Sequence, residues 1–380
     1  MLVLAKSRIF VALTPSFPIH SLKQYRPLSC FVLYLLLPCC LLGQPGRAQN
    51  IVLLIGDGLA LSQVTASTYW TGEDASAYRR FPVVGFHKSH AHNDLVTDSA
   101  AGATAFSCGI KTDNTVVGMG PDTLPCTTIL ESLDDKGWAT GMVTTCSATH
   151  ATPASFIAHQ EIRALTEYIA EDYLCTKLDC FVGGGAEAFA PHGKWQHLRD
   201  SLEQRGYIVD NGVSFRKMPM DGSAPFFLFT ANAEPSSATD GREYLPDAVE
   251  SVLPFLKRRS DQGFFLVVEG SQIDWALHAN NETWLRDELM DFDKAIQKVL
   301  DYAATDGNTL VLVTGDHECA GLAIGQGDTP REIKARFTER QHTAAMVPVF
   351  AYGPGAQAFA GVYENTDLYW KMWAALGMKP

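Results

Sequence analysis

The sequence predicts an α/β fold, a layered α/β/α sandwich around a central, mostly parallel sheet, and three observations carry that prediction. Short continuous runs rich in Val, Ile, Leu and Phe recur along the chain, and such runs suit strands buried on both faces. Longer stretches with helical spacing alternate with them, which implies helices laid over the sheet. No repeat, low-complexity tract or linker interrupts the pattern, and 380 residues at 46% hydrophobic content can bury one large core.

Taken in order, the first element is a signal rather than a structure. Lys23 and Arg26 precede the apolar run CFVLYLLLPCCLLG, and GRAQN offers small residues for cleavage near Ala48. Residues 1–48 therefore read as an export signal, with a periplasmic or extracellular destination. An uncleaved anchor is the alternative, although about 13 apolar residues is short for a stable membrane span. Pro38 before Cys39 makes LLPC a poor lipoprotein box, and the length ahead of Lys23 leaves Met1 open as the true start. A single domain is expected over 49–380. Within it NIVLLIG, WATGMVTT, GFFLVVEG, NTLVLVTG and VPVFAYG read as strands. PDAVESVLPFLKRRS and WLRDELMDFDKAIQKVLDYAATDG read as helices, the second stopped by a glycine.

Charge and cysteine usage narrow the function. A formal net charge of −12 argues against nucleic acid and anionic membranes as partners. An anionic substrate would need local positive charge, from metal ions or a placed arginine. Cys30, Cys39 and Cys40 fall in the signal, leaving Cys108, Cys126, Cys146, Cys175, Cys180 and Cys319, an even number that permits disulfides after export. Cys175 with Cys180 is the pairing expected first, because it closes a short loop; buried free thiols are the alternative. Zinc-finger spacing is absent.

Four strands run into metal-ligand residue types. NIVLLIG leads to Asp57, GFFLVVE ends at Glu269, NTLVLVTG leads to Asp316 and His317, and WATGMVTT leads through a short loop to His150 and Thr152. In open α/β sheets the ligand crevice lies beyond the carboxyl ends of the strands, so these residues would converge on one edge. Asp57 as a turn residue, Asp316 as a helix cap and Glu269 as an exposed strand end are the plain alternatives. Asp274 and His278, four apart, share one face if the segment is helical, as metal ligands or as a solvated ion pair. Nitrogen and oxygen donors together suit zinc, and a carboxylate and hydroxyl subset suits magnesium. In TDSAAGATAFSCG, Ser99 precedes small residues able to start a closely packed helix, so it is either a nucleophile or an N-cap. No GxSxG elbow surrounds it.

The motifs LLIGDG, TDSAA, THATPASFIAHQEIR, VEGSQIDWALH, TGDHE and RQHTAA occur in one order between about residues 50 and 355, and that series resembles the alkaline phosphatase family. The resemblance implies a phosphomonoesterase with two zinc ions and one magnesium ion, acting through a phosphoserine intermediate. It implies Asp274, His278 and His342 at one zinc, and Asp57, Asp316 and His317 at the other, with Ser99 facing it. Asp57, Thr152 and Glu269 fall to the third site, with His150 beside it, and Arg163 to the phosphate. Physically, two such ions can clamp the attacking and leaving oxygens of an in-line displacement, and a guanidinium can hold two phosphoryl oxygens. LDCFVGGG resembles a glycine-rich structural segment of the family. Small phosphomonoesters are the expected partners, and homodimerisation is expected because family members are usually dimers.

Two positions depart from the familiar enteric pattern, which has Asp at the place of His150 and Lys at that of Trp275. The combination of His150 and Trp275 resembles compact, often marine or cold-adapted bacterial members, and leaves the identity of the third metal open. No long insertion separates VEGSQIDWALH, TGDHE and RQHTAA, so an elaborate crown is not expected. Two other functions compete. A phosphodiesterase or sulfatase of the same superfamily is disfavoured because DSAAGAT lacks the sulfatase nucleophile motif and Arg163 is present. A non-catalytic metal-binding protein has no need of Ser99 and Arg163 together.

Overall fold

Ten strands build one sheet in the computed structural model, which describes residues 46–380 apart from 192, 196, 216, 217, 330 and 331. The expected export signal, residues 1–48, lies almost wholly outside the described residues. The sheet contains β1 (Asn50–Gly56), β2 (Val83–Lys88), β3 (Ala139–Ser147), β4 (Cys180–Gly184), β5 (Ile208–Asn211), β6 (Phe226–Phe229), β7 (Phe264–Gly270) and β8 (Thr309–Gly315). Three short strands follow, β9 (Glu318–Cys319), β10 (Ala323–Gln326) and β11 (Ile333–Arg336), then β12 (His342–Thr343) and two further sheet members, β13 (Val347–Tyr352) and β14 (Gly361–Glu364). The order across the sheet is β14-β2-β13-β8-β1-β7-β3-β4-β6-β5. All neighbours are parallel except where β13 meets β8 and β2.

The apolar runs form strands because both faces are covered. Every residue of β1, β3, β7 and β8 is buried. Side chains alternate along β1: Ile51, Leu53 and Ile55 enter a layer with Phe106, Phe156 and Trp373, whereas Val52 and Leu54 enter the opposite layer with Leu253, Ile296 and Leu300. That second layer is roofed by the helices Tyr244–Arg259 and Glu282–Asp306, the two expected from the sequence. Asn281 caps the second at its start, and Gly307, at φ 71°, ends it.

The cysteine pairing differs from the expectation. Cys108 and Cys126 are joined in a disulfide, while Cys175 and Cys180 are free. Cys180 opens β4, where the strand directs its side chain into the core beneath Gly141, and Cys175 lies in an exposed loop. Short sequence separation cannot overcome side chains committed in different directions.

Candidate active site

Parallel register brings four strand ends together. Gly56 pairs with Gly270 on one side and Gly315 on the other, and Glu269 lies between Ile55 and Thr144. The residues that follow these strands therefore emerge along one edge of the sheet. Gly58 carries φ +72°, and a Cβ there would come within 3.1 Å of both Asp274 Oδ1 and Cys319 Cβ. Only glycine lets the β1 turn approach so closely.

Ser99 is the first residue of the helix Ser99–Cys108, and the cap is its neighbour Asp98, whose carboxylate accepts from the Ala101 N–H at 3.0 Å. The helix is buried throughout, and Gly102 packs directly on Asp316, which explains the run of small residues. Ser99 Oγ stands 3.4 and 3.5 Å from the two Asp57 oxygens and 3.4 Å from His317 Nε2. His317 Nε2 is 3.3 Å from both Asp57 Oδ1 and Asp316 Oδ2.

Beside this group lies a second. Helix Gln272–His278 sets Asp274 and His278 on one face, with His278 Nε2 3.2 Å from Asp274 Oδ2. His342 on β12 reaches the same place, 3.1 Å from His278 Nε2 and 3.6 Å from Asp274 Oδ1, and its ring stacks on His317 at 3.5 Å. His342 is oriented by its Nδ1–H, which donates to Thr97 O at 2.8 Å. Asp274 is buried, so a solvated ion pair does not describe it. A third group gathers Cys146, His150 and Glu269, whose ligand atoms lie within 4.8 Å of one another. Glu269 is fully buried, not an exposed strand end.

The electrostatics demand cations. Burial, reinforced by Asp316, holds the Asp57 carboxyl well above the ordinary range. Burial also pushes Asp316 to about 6 and Glu269 to about 7. Asp274 goes the other way: burial opposes ionisation, but the hydrogen bond from His278 and the nearby imidazoles of His317 and His342 outweigh it. Burial lowers His150 to about 3 and His342 to about 4, so both imidazoles are neutral and free to ligate. Buried and without a hydrogen-bond partner are His150 Nδ1, Thr152 Oγ1, Glu269 Oε1, Asp274 Oδ1, Asp316 Oδ2 and His317 Nδ1. Unpaired buried carboxylate oxygens are costly, and bound divalent ions are the fitting partners for this donor set.

Arg163 supplies the placed positive charge. Its Nη1 donates to Asp98 Oδ2 at 3.2 Å, next in sequence to Ser99, and its charge is felt at Asp57, His150 and His317. Sequence reasoning did not find Asp98, Cys146 or Cys319. Cys146 Sγ donates to Glu269 Oε2 at 3.2 Å, and Cys319 sits among Asp274, His278 and His342. Their signal was proximity: Cys146 is on the strand leading to His150, and Cys319 follows His317 by two residues.

A family model described as alkaline phosphatase matches residues 48–334. The chain belongs to the alkaline phosphatase family. It is 32% identical to the alkaline phosphatase of Escherichia coli (strain K12), over 87% of each chain, and 29% identical to alkaline phosphatase 3 of Bacillus subtilis (strain 168), over 88% of this chain and 90% of that one. The structure of alkaline phosphatase from the Antarctic bacterium TAB5 is 37% identical and superposes with a TM-score of 0.83, covering 89% of this chain and all of that one. A variant of the TAB5 enzyme with histidine replaced by glutamate has been solved with magnesium in its M3 site. Like other alkaline phosphatases, this one is a metal-dependent hydrolase of phosphate monoesters. No helix among its described residues is long and apolar enough to cross a membrane.

Proposed function

We propose that Ser99 is the nucleophile of this phosphomonoesterase and Arg163 its phosphate clamp. In this reading, Asp274, His278 and His342 hold one zinc, and Asp57, Asp316 and His317 hold a second. Asp57, Thr152, Glu269 and the neighbouring His150 serve a third ion, magnesium in the first instance. Bound there, the ions supply Lewis-acid stabilisation of the negative charge that develops on attacking and leaving oxygens.

The residues do the rest. Ser99 Oγ attacks phosphorus in line, the bond to the ester oxygen breaks, and the alcohol departs with a proton from solvent. Water then attacks the phosphoserine, the Ser99 Oγ–P bond breaks, and inorganic phosphate leaves. Arg163, steadied by Asp98, holds two non-bridging oxygens through both stages. Little in this set grips the alcohol, so broad specificity for small phosphomonoesters follows.

One observation carries this reading: Ser99 Oγ lies 3.4 Å from both Asp57 and His317 while Asp98, beside it, tethers Arg163. That a TAB5 variant with glutamate in place of histidine holds magnesium in its M3 site supports a third cation site in this enzyme. Export to the periplasm or medium, and assembly as a homodimer, complete the proposal. The test is to quench turnover of a labelled phosphomonoester in acid and map the label, with metal analysis and p-nitrophenyl phosphate turnover before and after chelation. Label on Ser99 and loss of turnover with the ions are expected. A fully metal-loaded enzyme that turns over without labelling Ser99 would refute the nucleophile, and turnover surviving complete chelation would refute the metal assignment.

A further inference from the structure

Between Cys108 and Cys126 the chain reads GIKTDNTVVGMGPDTLP, rich in turn residues. The disulfide closes this segment into a loop whose first cysteine ends the helix begun by Ser99. The loop lies against the segment that carries Arg163. Thr115 is one point of contact, and its backbone has φ +74°, rare for a β-branched residue. Its N–H donates to Asp98 Oδ2 at 3.1 Å, its carbonyl accepts from the Arg163 N–H at 2.8 Å, and the same Asp98 oxygen accepts from Arg163 Nη1. Thr115 thus holds the arginine at both ends, by its main chain directly and by its guanidinium through a shared carboxylate. Strained backbone of this kind persists where surrounding structure over-determines it.

The over-determination leads back to the disulfide. Val117 and Gln160 exchange two N–H to carbonyl bonds of 2.9 Å. Gly118 follows at φ +58°, pressed so closely on the other segment that a Cβ would fall 2.0 Å from Ala158 O. Its carbonyl accepts from His159 Nδ1 at 2.6 Å and from the Cys126 N–H at 3.0 Å. The path therefore runs from Cys126 through Gly118 to the 158–163 segment.

We propose that Thr115 is a positioning residue for Arg163, and that the Cys108–Cys126 disulfide fixes it there, so that the oxidised enzyme captures phosphate well and the reduced enzyme poorly. The proposal rests on the reading of Arg163 as phosphate clamp. Reduction by a dithiol breaks the S–S bond: two electrons and two protons pass to Cys108 and Cys126 as thiols, and the dithiol becomes its own disulfide. Phosphate affinity is thereby coupled to the redox state of the compartment.

The test uses the full, metal-loaded enzyme and the inhibition constant of inorganic phosphate. C108S/C126S and T115P are each made in the wild-type and R163A backgrounds, since proline can neither adopt positive φ nor donate to Asp98. The expected result is a rise of roughly tenfold in the wild-type background and none in R163A, with metal content unchanged. Cys175→Ser, which removes an exposed thiol elsewhere, leaves the constant as it was. Equal factors in both backgrounds, or no change in the wild type, overturn the proposal. An R163A enzyme with unaltered phosphate inhibition refutes the clamp itself, and the proposal falls with it. Because loop variants can fail to fold, the folded wild-type enzyme is also measured before and after reduction by a phosphine, which becomes its oxide with oxygen from water. A rise on reduction supports the proposal, and an unchanged constant overturns it.

Discussion

The imidazole of His150 meets the indole of Trp275 edge to face, with ring centroids 5.7 Å apart and planes at 66°. The two positions that the sequence marks as expected departures from the enteric pattern therefore form one contact. His150 follows β3 and Trp275 lies on the helix that holds Asp274 and His278, so the contact joins the group of Cys146, His150 and Glu269 to that of Asp274, His278 and His342. It places a neutral imidazole and an indole side by side at this edge of the sheet.

Trp275→Lys adds a positive charge at this edge. Inorganic phosphate should inhibit several-fold more strongly, and where product release limits turnover kcat should fall with it. The check is a product-inhibition series at constant ionic strength, because exposed charges are screened by salt. An unaltered inhibition constant would mean that Trp275 does not set product affinity.

His150→Asp replaces a nitrogen donor by a hard oxygen beside Glu269 and Thr152. Magnesium retention after desalting should rise and zinc occupancy of that site should fall, read by elemental analysis. Equal magnesium content in both proteins would place the third ion out of reach of residue 150.

Chelation should destabilise the protein more as pH rises. In the metal-free protein burial pushes Glu269 to about 7 and Asp316 to about 6, from ordinary values of 4.5 and 3.8. Between the ordinary and raised values the folded form holds protons that the unfolded chain has released, so metal-free stability falls as pH climbs through that window. Bound ions keep both carboxylates ionised and remove the effect. The gap in Tm between loaded and chelated enzyme should therefore widen from about pH 4.5 to about pH 7 and level off above it. A gap independent of pH would show that these carboxylates do not meet the ions.

Much of this was legible in the sequence because a parallel sheet states itself plainly. Strands buried on both faces read as unbroken apolar runs, and the residues just past their ends can only fall on one edge. That logic brought Asp57, Glu269, Asp316 and His317 to one place. It could not deliver Asp98, whose role depends on a guanidinium arriving from 65 residues away. Nor could it choose the disulfide: Cys108 and Cys126 meet because a helix and a loop return to the same point, whereas sequence distance favoured Cys175 and Cys180. Residue chemistry alone leaves Ser99 between nucleophile and cap, the family resemblance implies the nucleophile, and in the structure the cap is Asp98.

A buried ion cluster away from the site offers a test of stability alone. Arg242 Nη2 donates to Glu288 Oε2 at 2.6 Å and to Asp291 Oδ2 at 2.8 Å, tying the 236–242 segment to the helix Glu282–Asp306. Arg242→Met leaves two buried carboxylates facing no cation and should cost roughly 3–5 kcal/mol by urea unfolding. Adding Glu288→Gln and Asp291→Asn should recover most of it. A triple variant as weak as the single one would mean that packing, not unpaired charge, carries the loss.

His87 provides the acid limb. It is fully buried on β2, and its Nε2–H donates to Gly315 O at 3.0 Å, just before Asp316. Burial lowers its pKa from 6.5 to about 4, with the charge of Lys111 acting in the same direction and the bond to Gly315 against it. Below 6.5 the unfolded chain takes up a proton that the folded form refuses, so the stability this group contributes is complete above 6.5 and is lost as pH falls towards 4. His87→Gln retains a donor for Gly315 O without a titrating ring. Between neutral pH and about pH 5 the wild type should lose roughly 2 kcal/mol more than the variant, the product of about 1.5 pH units and the free energy of one unit. Scanning calorimetry of both metal-loaded proteins across that range decides it: parallel curves would mean that His87 is protonated in the folded state, and that the bond holding Gly315 in front of Asp316 survives the charge.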